Sequence, residues 1–552
     1  ASVHACGTVI GKASLTEYLP LQRAPQDEKV IVTQFEMHSV EDLGLLKMDL
    51  LGLKNLTTIE DTLRLINENR ADGERVDMSK IPEDDAATFT LLQNADTTGV
   101  FQLESSGMRR YLKELRPSNI EDIVAMVALY RPGPMDLIPT YINRKHGREK
   151  TEYLHPMLAP ILSKTFGVGV YQEQMMRIAR DLAGYTLAEA DTLRKAIGKK
   201  IQKLLDEQRE KLIKGMIAKN IPEATAIAIW ELFPPFARYG FNRSHAVCYA
   251  TTSYQTAYLK AHFPVEFMTS LLNCDAGDIE RTSFLISEFK KSGVEVLPPD
   301  INKSAAMFFP EGKNIRFGLA AIKNVGEAIV GAVIEERSTR GPFQNLADLL
   351  NRVQHKDLNK KSLDSLTKCG ALDSFGIERN TIVGNIEEIV KFAGALKRQA
   401  ASNQTGLFGQ SVSNQSLRIK AHPPADMAAK LGWEKELLGL YVSDHPLNMH
   451  REKIASFNAK AVADAFKERS ELMRFALAGI VTRAQKIVTK KGKPMLFGKL
   501  EDLTGSIEVI VFPETFDKTM AIWKENNALM ITGRMSWRDS EGKFVCDNGR
   551  EL

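Results

Sequence analysis

Lys47 and Asp49 stand two residues apart in the apolar run 43–51. In an extended segment side chains alternate between faces, so Leu46, Met48 and Leu50 share one side and Lys47 and Asp49 the other. A carboxylate beside an ammonium supplies what phosphoryl chemistry uses: oxygen ligands for Mg²⁺ and positive charge for a polyphosphate. The same pair also fits a solvated strand face closed by a local ion pair. One Asp cannot hold two metal ions, because such sites draw carboxylates from several segments.

Charge marks a second candidate. The window from Ile142 to Lys219 carries 16 Lys and Arg against 9 Asp and Glu, a net of +7 in a chain whose total is +4, so everything else sums to −3. Its densest piece places Arg194, Lys195, Lys199, Lys200 and Lys203 around Gly198. Such a patch suits the phosphates of a nucleotide or a nucleic-acid backbone; a solvated helix face is the alternative. Residues 238–249 then interleave Arg238, Asn242, Arg243 and His245 with Tyr239, Phe241 and Tyr249. That mixture could stack bases while gripping phosphates, and a loop packed by its own aromatics fits equally well. His245 and Cys248 lack further ligands at usable spacing, which argues against a metal there.

Lys323, Asn324, Val325 and Gly326 form a turn before a helix bearing Ile329, Val330 and Val333. This is a helix-hairpin-helix candidate, in which Gly lets backbone N–H groups at a helix start approach a DNA phosphate, and one copy alone also fits a plain helical turn. Contacts of that kind position duplex without reading sequence. A weaker second copy turns at Gly370. Gln404, Thr405, Gly406, Leu407 and Phe408 lie in a polar stretch that reads as a flexible loop. Leu407 and Phe408 there need a partner's pocket, or they pin the loop to its own domain.

The elements that must position these residues form several domains. At about 150 residues per domain, 552 residues make three to four units. Hydrophobic content of 43% and charged content of 26% are globular values and exclude disorder, collagen and coiled coil as global descriptions. Five scattered cysteines without a CxxC pair fit reduced thiols and argue against a disulfide framework or structural zinc. No run of about 18 apolar residues offers a membrane span, and no signal-peptide pattern opens the chain. It starts at Ala1, inside what reads as a buried strand (Val3–Ile10), so the start reads as cut.

Further strands are expected at Lys29–Gln34 and Leu45–Leu50, followed by a helix opened by a capping box of Thr57 and Glu60. Residues 60–300 read as mostly helical, with Met175, Ile178, Ala179 and Leu182 on one helix face. One helix is expected from Thr381 to Ala401. The last 80 residues read as strands at Phe475–Val481, Pro494–Leu500, Ile507–Phe512 and Leu529–Thr532. A helix between the third and fourth makes an OB-type barrel, with its fifth strand finishing near Leu552.

The sequence resembles the C-terminal half of the alpha subunit of bacterial DNA polymerase III, a C-family replicative polymerase. The likeness runs over essentially the whole chain and rests on KMDLLGL, FQLES, RPGPMD, RKHGRE, YQEQMM, LRKAIGKK, GFNRSH, YQTAYLKAH, LPPDIN and LLGLYVSDHPL. It implies a multi-domain, predominantly α-helical protein: an α/β palm remnant at 1–55, fingers at 56–300, a clamp-binding domain with tandem helix-hairpin-helix elements at 301–415, a connecting segment at 416–470, and a truncated OB-type β-barrel at 471–552.

By the same resemblance Asp49 matches the third catalytic aspartate of the palm, a Mg²⁺ ligand, and Lys47 a lysine contacting the incoming triphosphate. Arg194 and Lys195 match a basic pair of the fingers on that triphosphate, where the family often has two arginines. Lys199, Lys200, Lys203, Asn242, Arg243, His245, Lys323 and Gly326 are the DNA-binding expectations. Gln404, Leu407 and Phe408 match the internal sliding-clamp motif, with Thr405 at a commonly apolar position. The family's other two catalytic aspartates precede the region matching Ala1. The implied partners are primer-template DNA, dNTPs, the sliding clamp (beta subunit) and other holoenzyme subunits, in the cytoplasm and without a membrane. The intact protein would extend a primer 3′-OH by a two-metal mechanism, and the isolated chain would not polymerise. A non-catalytic DNA-binding and clamp-tethering module is the alternative.

Overall fold

The computed structural model describes residues 6–24, 29–50, 52–68, 70–71, 74–199, 202–233, 240–402, 417–489, 492–537 and 542–552. They fall into two units, Ala1–Glu60 and Asp61–Leu552.

In the first unit, strand Gly7–Ile10 pairs antiparallel with Leu46–Asp49 in the register Gly7↔Asp49, Val9↔Lys47 and Ile10↔Leu46. Leu21–Arg23 pairs antiparallel with Ile31–Thr33. A short helix, Met37–Asp42, is capped by Glu36, whose carboxylate accepts from the Ser39 and His38 amides. Gly44 then takes φ +76°, a left-handed conformation natural to glycine, and turns the chain into the Leu46 strand.

The core of this unit is small: Leu19, Val40 and Leu45, with Val9 against them. Alternation along Leu46–Asp49 follows the sequence pattern, but its apolar side is not the buried one. Leu46, Met48 and Leu50 are 56%, 42% and 62% exposed, whereas Val9, opposite Lys47, packs on the core. The N-terminal strand likewise alternates half-buried and exposed instead of lying buried. The following helix begins at Lys54, so Thr57 and Glu60 lie inside it and do not form its expected cap.

The second unit is predominantly helical and ends in the OB-type barrel. Its central element is the twenty-residue helix Arg243–His262. Ala246, Ala250 and Ala257 on this helix are fully buried, and their small side chains let it pack closely on Ile120–Leu129. Lys260 and Asp96 form a 2.7 Å ion pair here, and Lys145 and Asp122 one of 2.6 Å. A second core gathers Met175, Ile178, Ala179 and Leu182, the expected face of helix Gln172–Ala183, with Leu193, Leu212 and Phe233.

Helices Glu327–Arg340, Lys360–Lys368 and Arg379–Gly384 build the helix-hairpin-helix region. The helix expected over Thr381–Ala401 breaks at Asn385 into Arg379–Gly384 and Ile386–Ser402. The Asn385 amide donates to the Thr381 and Lys420 carbonyls and accepts from the Lys420 amide, anchoring the segment beyond the polar stretch.

The barrel closes in the order Ser506–Val511, Lys543–Glu551, Ala528–Ser536, Arg474–Val488, Pro494–Glu501. Helix Pro513–Thr519 lies between its third and fourth strands, as the sequence indicates. Nine residues, Lys543–Glu551, pair parallel with Ser506–Val511 and antiparallel with Ala528–Ser536. Among the described residues no helix is long and apolar enough to cross a membrane.

Candidate nucleotide and nucleic-acid sites

On the Leu46–Asp49 strand the Lys47 ammonium lies 2.5 Å from Asp49 Oδ1. The two side chains share a strand face, and the hydrogen bond to Asp49 raises the pKa of Lys47 above the ordinary lysine value. Gly7 stands directly opposite Asp49, so the directly paired position brings no side chain to the carboxylate. Asp49 keeps 54% of its side-chain surface exposed. Among the described residues no group of three or more His, Cys, Asp or Glu is placed to hold a metal ion. One carboxylate engaged by a lysine is not by itself a metal site, so these residues do not fit Mg²⁺ alone.

Arg194 and Lys195 lie on helix Leu187–Lys199. Its start is fixed by Thr186 and Glu189: the Thr186 amide donates to Glu189 Oε2 at 2.8 Å, and the Glu189 amide to the Thr186 hydroxyl at 3.3 Å. Lys211 reaches across from helix Gln202–Ala218 to Glu189 at 2.6 Å. That ammonium, followed by the Thr186 contacts, holds the Glu189 carboxyl down at about 2. Ala190, Leu193 and Ala196 are buried, which turns Arg194 and Lys195 outward. Both meet Asp191, at 2.8 Å from Arg194 Nη2 and 2.9 Å from Lys195 Nζ. Lys195 first, then Arg194, holds the Asp191 carboxyl below its usual range. Lys203 is exposed at the start of the next helix, while Lys200 and the Lys199 side chain lie outside the described residues.

The Asn242–His245 segment separates into two roles. Asn242 caps the long helix, accepting from the His245 amide at 2.8 Å, and donates to Glu173 at 3.1 Å. Arg243 bonds Glu173 through its amide and Glu121 through Nη2 at 2.6 Å. These two side chains are engaged by the fold. His245 is exposed, with its ring 5.4 Å from Phe241 and 4.2 Å from Tyr249. Arg131 lies over the other end of this row, 4.4 Å from the Phe241 ring, and burial lowers its pKa from the ordinary value. Its place here went unassigned from sequence, although RPGPMD singled it out. What joins the motifs is backbone pairing: the Gln172 amide donates to the Phe241 carbonyl and the Phe241 amide to that of Val170.

At the first hairpin the left-handed residue is Asn324, φ +69°, and Gly326 has φ −79°. Gly326 therefore serves by its lack of a side chain; a Cβ there would meet nothing within 4 Å, so the space before helix Glu327–Arg340 is open. The Lys323 amide is already used, donating to the Leu437 carbonyl at 3.0 Å. The turn at Gly370 differs. A Cβ there would come 2.4 Å from Arg379 Nη2, so protein fills the space. Arg379 itself bonds Asp373 at 2.6 Å and Glu434 at 3.0 Å. Asn324 Nδ2 and Ser365 Oγ, 3.2 Å apart, tie the two hairpins together. Gln404, Leu407 and Phe408 lie outside the described residues.

A helical body carrying helix-hairpin-helix elements, an OB barrel and clustered outward cations is the architecture of a protein that handles nucleic acid. Residues 1–52 match the bacterial DNA polymerase III alpha NTPase domain and 55–220 the finger domain of that subunit. Residues 293–382 match a helix-hairpin-helix motif and 475–552 an OB-fold nucleic acid binding domain. The DNA polymerase III subunit alpha of Thermus aquaticus is 41% identical over 538 residues, covering 96% of this chain and 43% of the relative. That of Bacillus subtilis is 41% identical over 555 residues, covering 100% and 49%. The chain belongs to the bacterial DNA polymerase III alpha-subunit family, and it spans about half the length of the curated relatives it matches.

Proposed function

We propose that this chain is the fingers, DNA-gripping and tethering part of a replicative DNA polymerase, carrying one catalytic aspartate. The observation that carries this reading is identity of about 40% along the whole chain to DNA polymerase III alpha subunits, with Lys47 and Asp49 converging on one strand face. Asp49 would contribute one ligand to a Mg²⁺ site completed by carboxylates of another segment. When bound, the metal would neutralise charge on phosphate oxygens. Lys47, Arg194 and Lys195 bind the triphosphate of the incoming dNTP. Lys203, with Lys199 and Lys200, follows the DNA backbone.

Lys323 and the open helix start behind Gly326 seat a duplex phosphate. The exposed His245 ring, in its row with Phe241 and Tyr249, offers a face on which a base stacks; Asn242 and Arg243 support that segment from Glu173 and Glu121. Gln404, Leu407 and Phe408 engage the sliding clamp, and the assembly works in the cytoplasm with other holoenzyme subunits. Primer extension by the chain joined to the N-terminal half of a full-length relative tests the reading. Asp49→Ala should reduce the rate by on the order of a hundredfold or more; an undiminished rate removes Asp49 from the chemistry.

A second reading, a DNA-binding and clamp-tethering module without catalysis, is favoured by the single engaged carboxylate at Asp49. It requires that the joined protein bind primer-template and clamp yet extend nothing. Loss of clamp affinity on Leu407→Ala or Phe408→Ala checks the tether in either case.

A further inference from the structure

Asp191 stands between the two side chains assigned to the triphosphate and engages both. Arg194 Nε donates to its Oδ1 at 2.8 Å, Arg194 Nη2 lies 2.8 Å from the same oxygen, and Lys195 Nζ is 2.9 Å from Oδ2. The three residues sit at i, i+3 and i+4 of one helix, where side chains are neighbours. They are held on the outward face. Ala190, Leu193 and Ala196 are buried beneath them, and Glu189, tied to Thr186 and Lys211, fixes the helix start. One carboxylate oxygen thus faces each cation, spacing the two cationic heads much as two oxygens of a phosphate would.

We infer that Asp191 is a built-in counter-ion of the triphosphate seat. It keeps Arg194 and Lys195 poised together, and an incoming polyphosphate must displace it from both. This rests on the reading of Arg194 and Lys195 as nucleotide ligands. The consequence is a charge threshold. A small anion gains little by exchanging places with a carboxylate already held by helix geometry. A triphosphate brings several charges and more acceptor oxygens, so it wins the exchange. Release is easy because the pair is exposed, 36% at Arg194 and 62% at Lys195, where individual ion pairs are weak. Asp191 is therefore a positioning residue that sets how strongly an anion must bind to enter the seat, acting through its neighbours and touching no substrate itself.

The test titrates sodium tripolyphosphate and sodium orthophosphate onto the whole chain by calorimetry, with circular dichroism confirming that each variant is folded. Asp191→Asn should bind tripolyphosphate about threefold to tenfold more tightly. Orthophosphate should gain by no larger a factor, because it displaces the same carboxylate. Asp191→Glu, which keeps the charge, should restore the parent's affinity. An Asp191→Asn protein that binds tripolyphosphate no better than the parent overturns the counter-ion role, provided the Arg194→Ala, Lys195→Ala double variant has lost binding. If that double variant binds as the parent does, the assignment of the pair to nucleotide fails instead.

Discussion

Removing the Asp49 carboxylate changes two things, because Lys47 is bound to it at 2.5 Å. Asp49→Asn should lower the Lys47 pKa from its raised value toward the ordinary one. Site-resolved NMR titration of the Lys47 side chain checks this, and an unmoved value would show another group holding the ammonium. His245 makes a separate prediction. Stacking on one base contributes about 1–3 kcal/mol, so His245→Ala should weaken single-stranded oligonucleotide binding at least about fivefold while His245→Phe retains it. Equal losses in both variants would mean that charge, not the ring, makes the contact. At this scale the sequence was informative where alternation or helix spacing brings neighbours together, as in Lys47 with Asp49. It was silent on partners far along the chain. Glu173 and Glu121, which engage Arg243, are 70 and 122 residues away, and no local pattern announces them.

Among the elements, the Arg379 node joins helix Arg379–Gly384 to helix Met427–Leu438. Glu434 is 1% exposed and accepts from the Val442 and Ser443 amides as well as from Arg379. Glu434→Ala would leave a buried guanidinium short of a counter-charge and two amides without acceptors. A destabilisation of about 3 kcal/mol is expected in urea unfolding, and a shift below 1 kcal/mol would contradict it.

His445 gives the pH dependence. Burial, reinforced by Lys290 and Lys435, holds its imidazole below the ordinary pKa against the pull of Asp502 and Asp444. Nδ1 accepts from the Leu447 amide, which requires the neutral ring. An unfolded histidine takes its proton near pH 6.5 while the folded one resists. Its stabilisation is therefore present above about pH 6.5 and is lost as pH falls through the lower folded value. His445→Gln should flatten the decline in urea midpoint between pH 7.5 and 5.5; an unchanged decline would place the titrating group elsewhere.

Helix faces and barrel strands were legible because periodicity reports burial directly, as with Met175, Ile178, Ala179 and Leu182. The break at Asn385 was not, since it answers to Lys420, 35 residues on. Nor was the reversed burial of the Leu46–Asp49 strand, because alternation separates two faces without saying which one meets a core.

For the whole molecule, the near-neutral net charge is a sum of unlike parts. The +7 window contains the fingers' cations and the remainder is mildly acidic, so binding to DNA should weaken steeply with added salt despite the small total. The first unit exposes Ile10, Leu46, Met48 and Leu50 around the strand that carries Asp49. Asp49, opposite Gly7, keeps 54% of its side-chain surface exposed. The proposed role of Asp49 as one ligand of a larger site calls for such an accessible carboxylate, and the relatives are about twice as long as this chain. The most direct measurement is primer extension, with dNTPs and Mg²⁺, by this chain joined to the N-terminal half of a full-length relative. Extension that collapses on Asp49→Ala while primer-template affinity stays within about twofold is the predicted result. Extension indifferent to Asp49, or a folded joined protein that binds DNA and extends nothing, would contradict it.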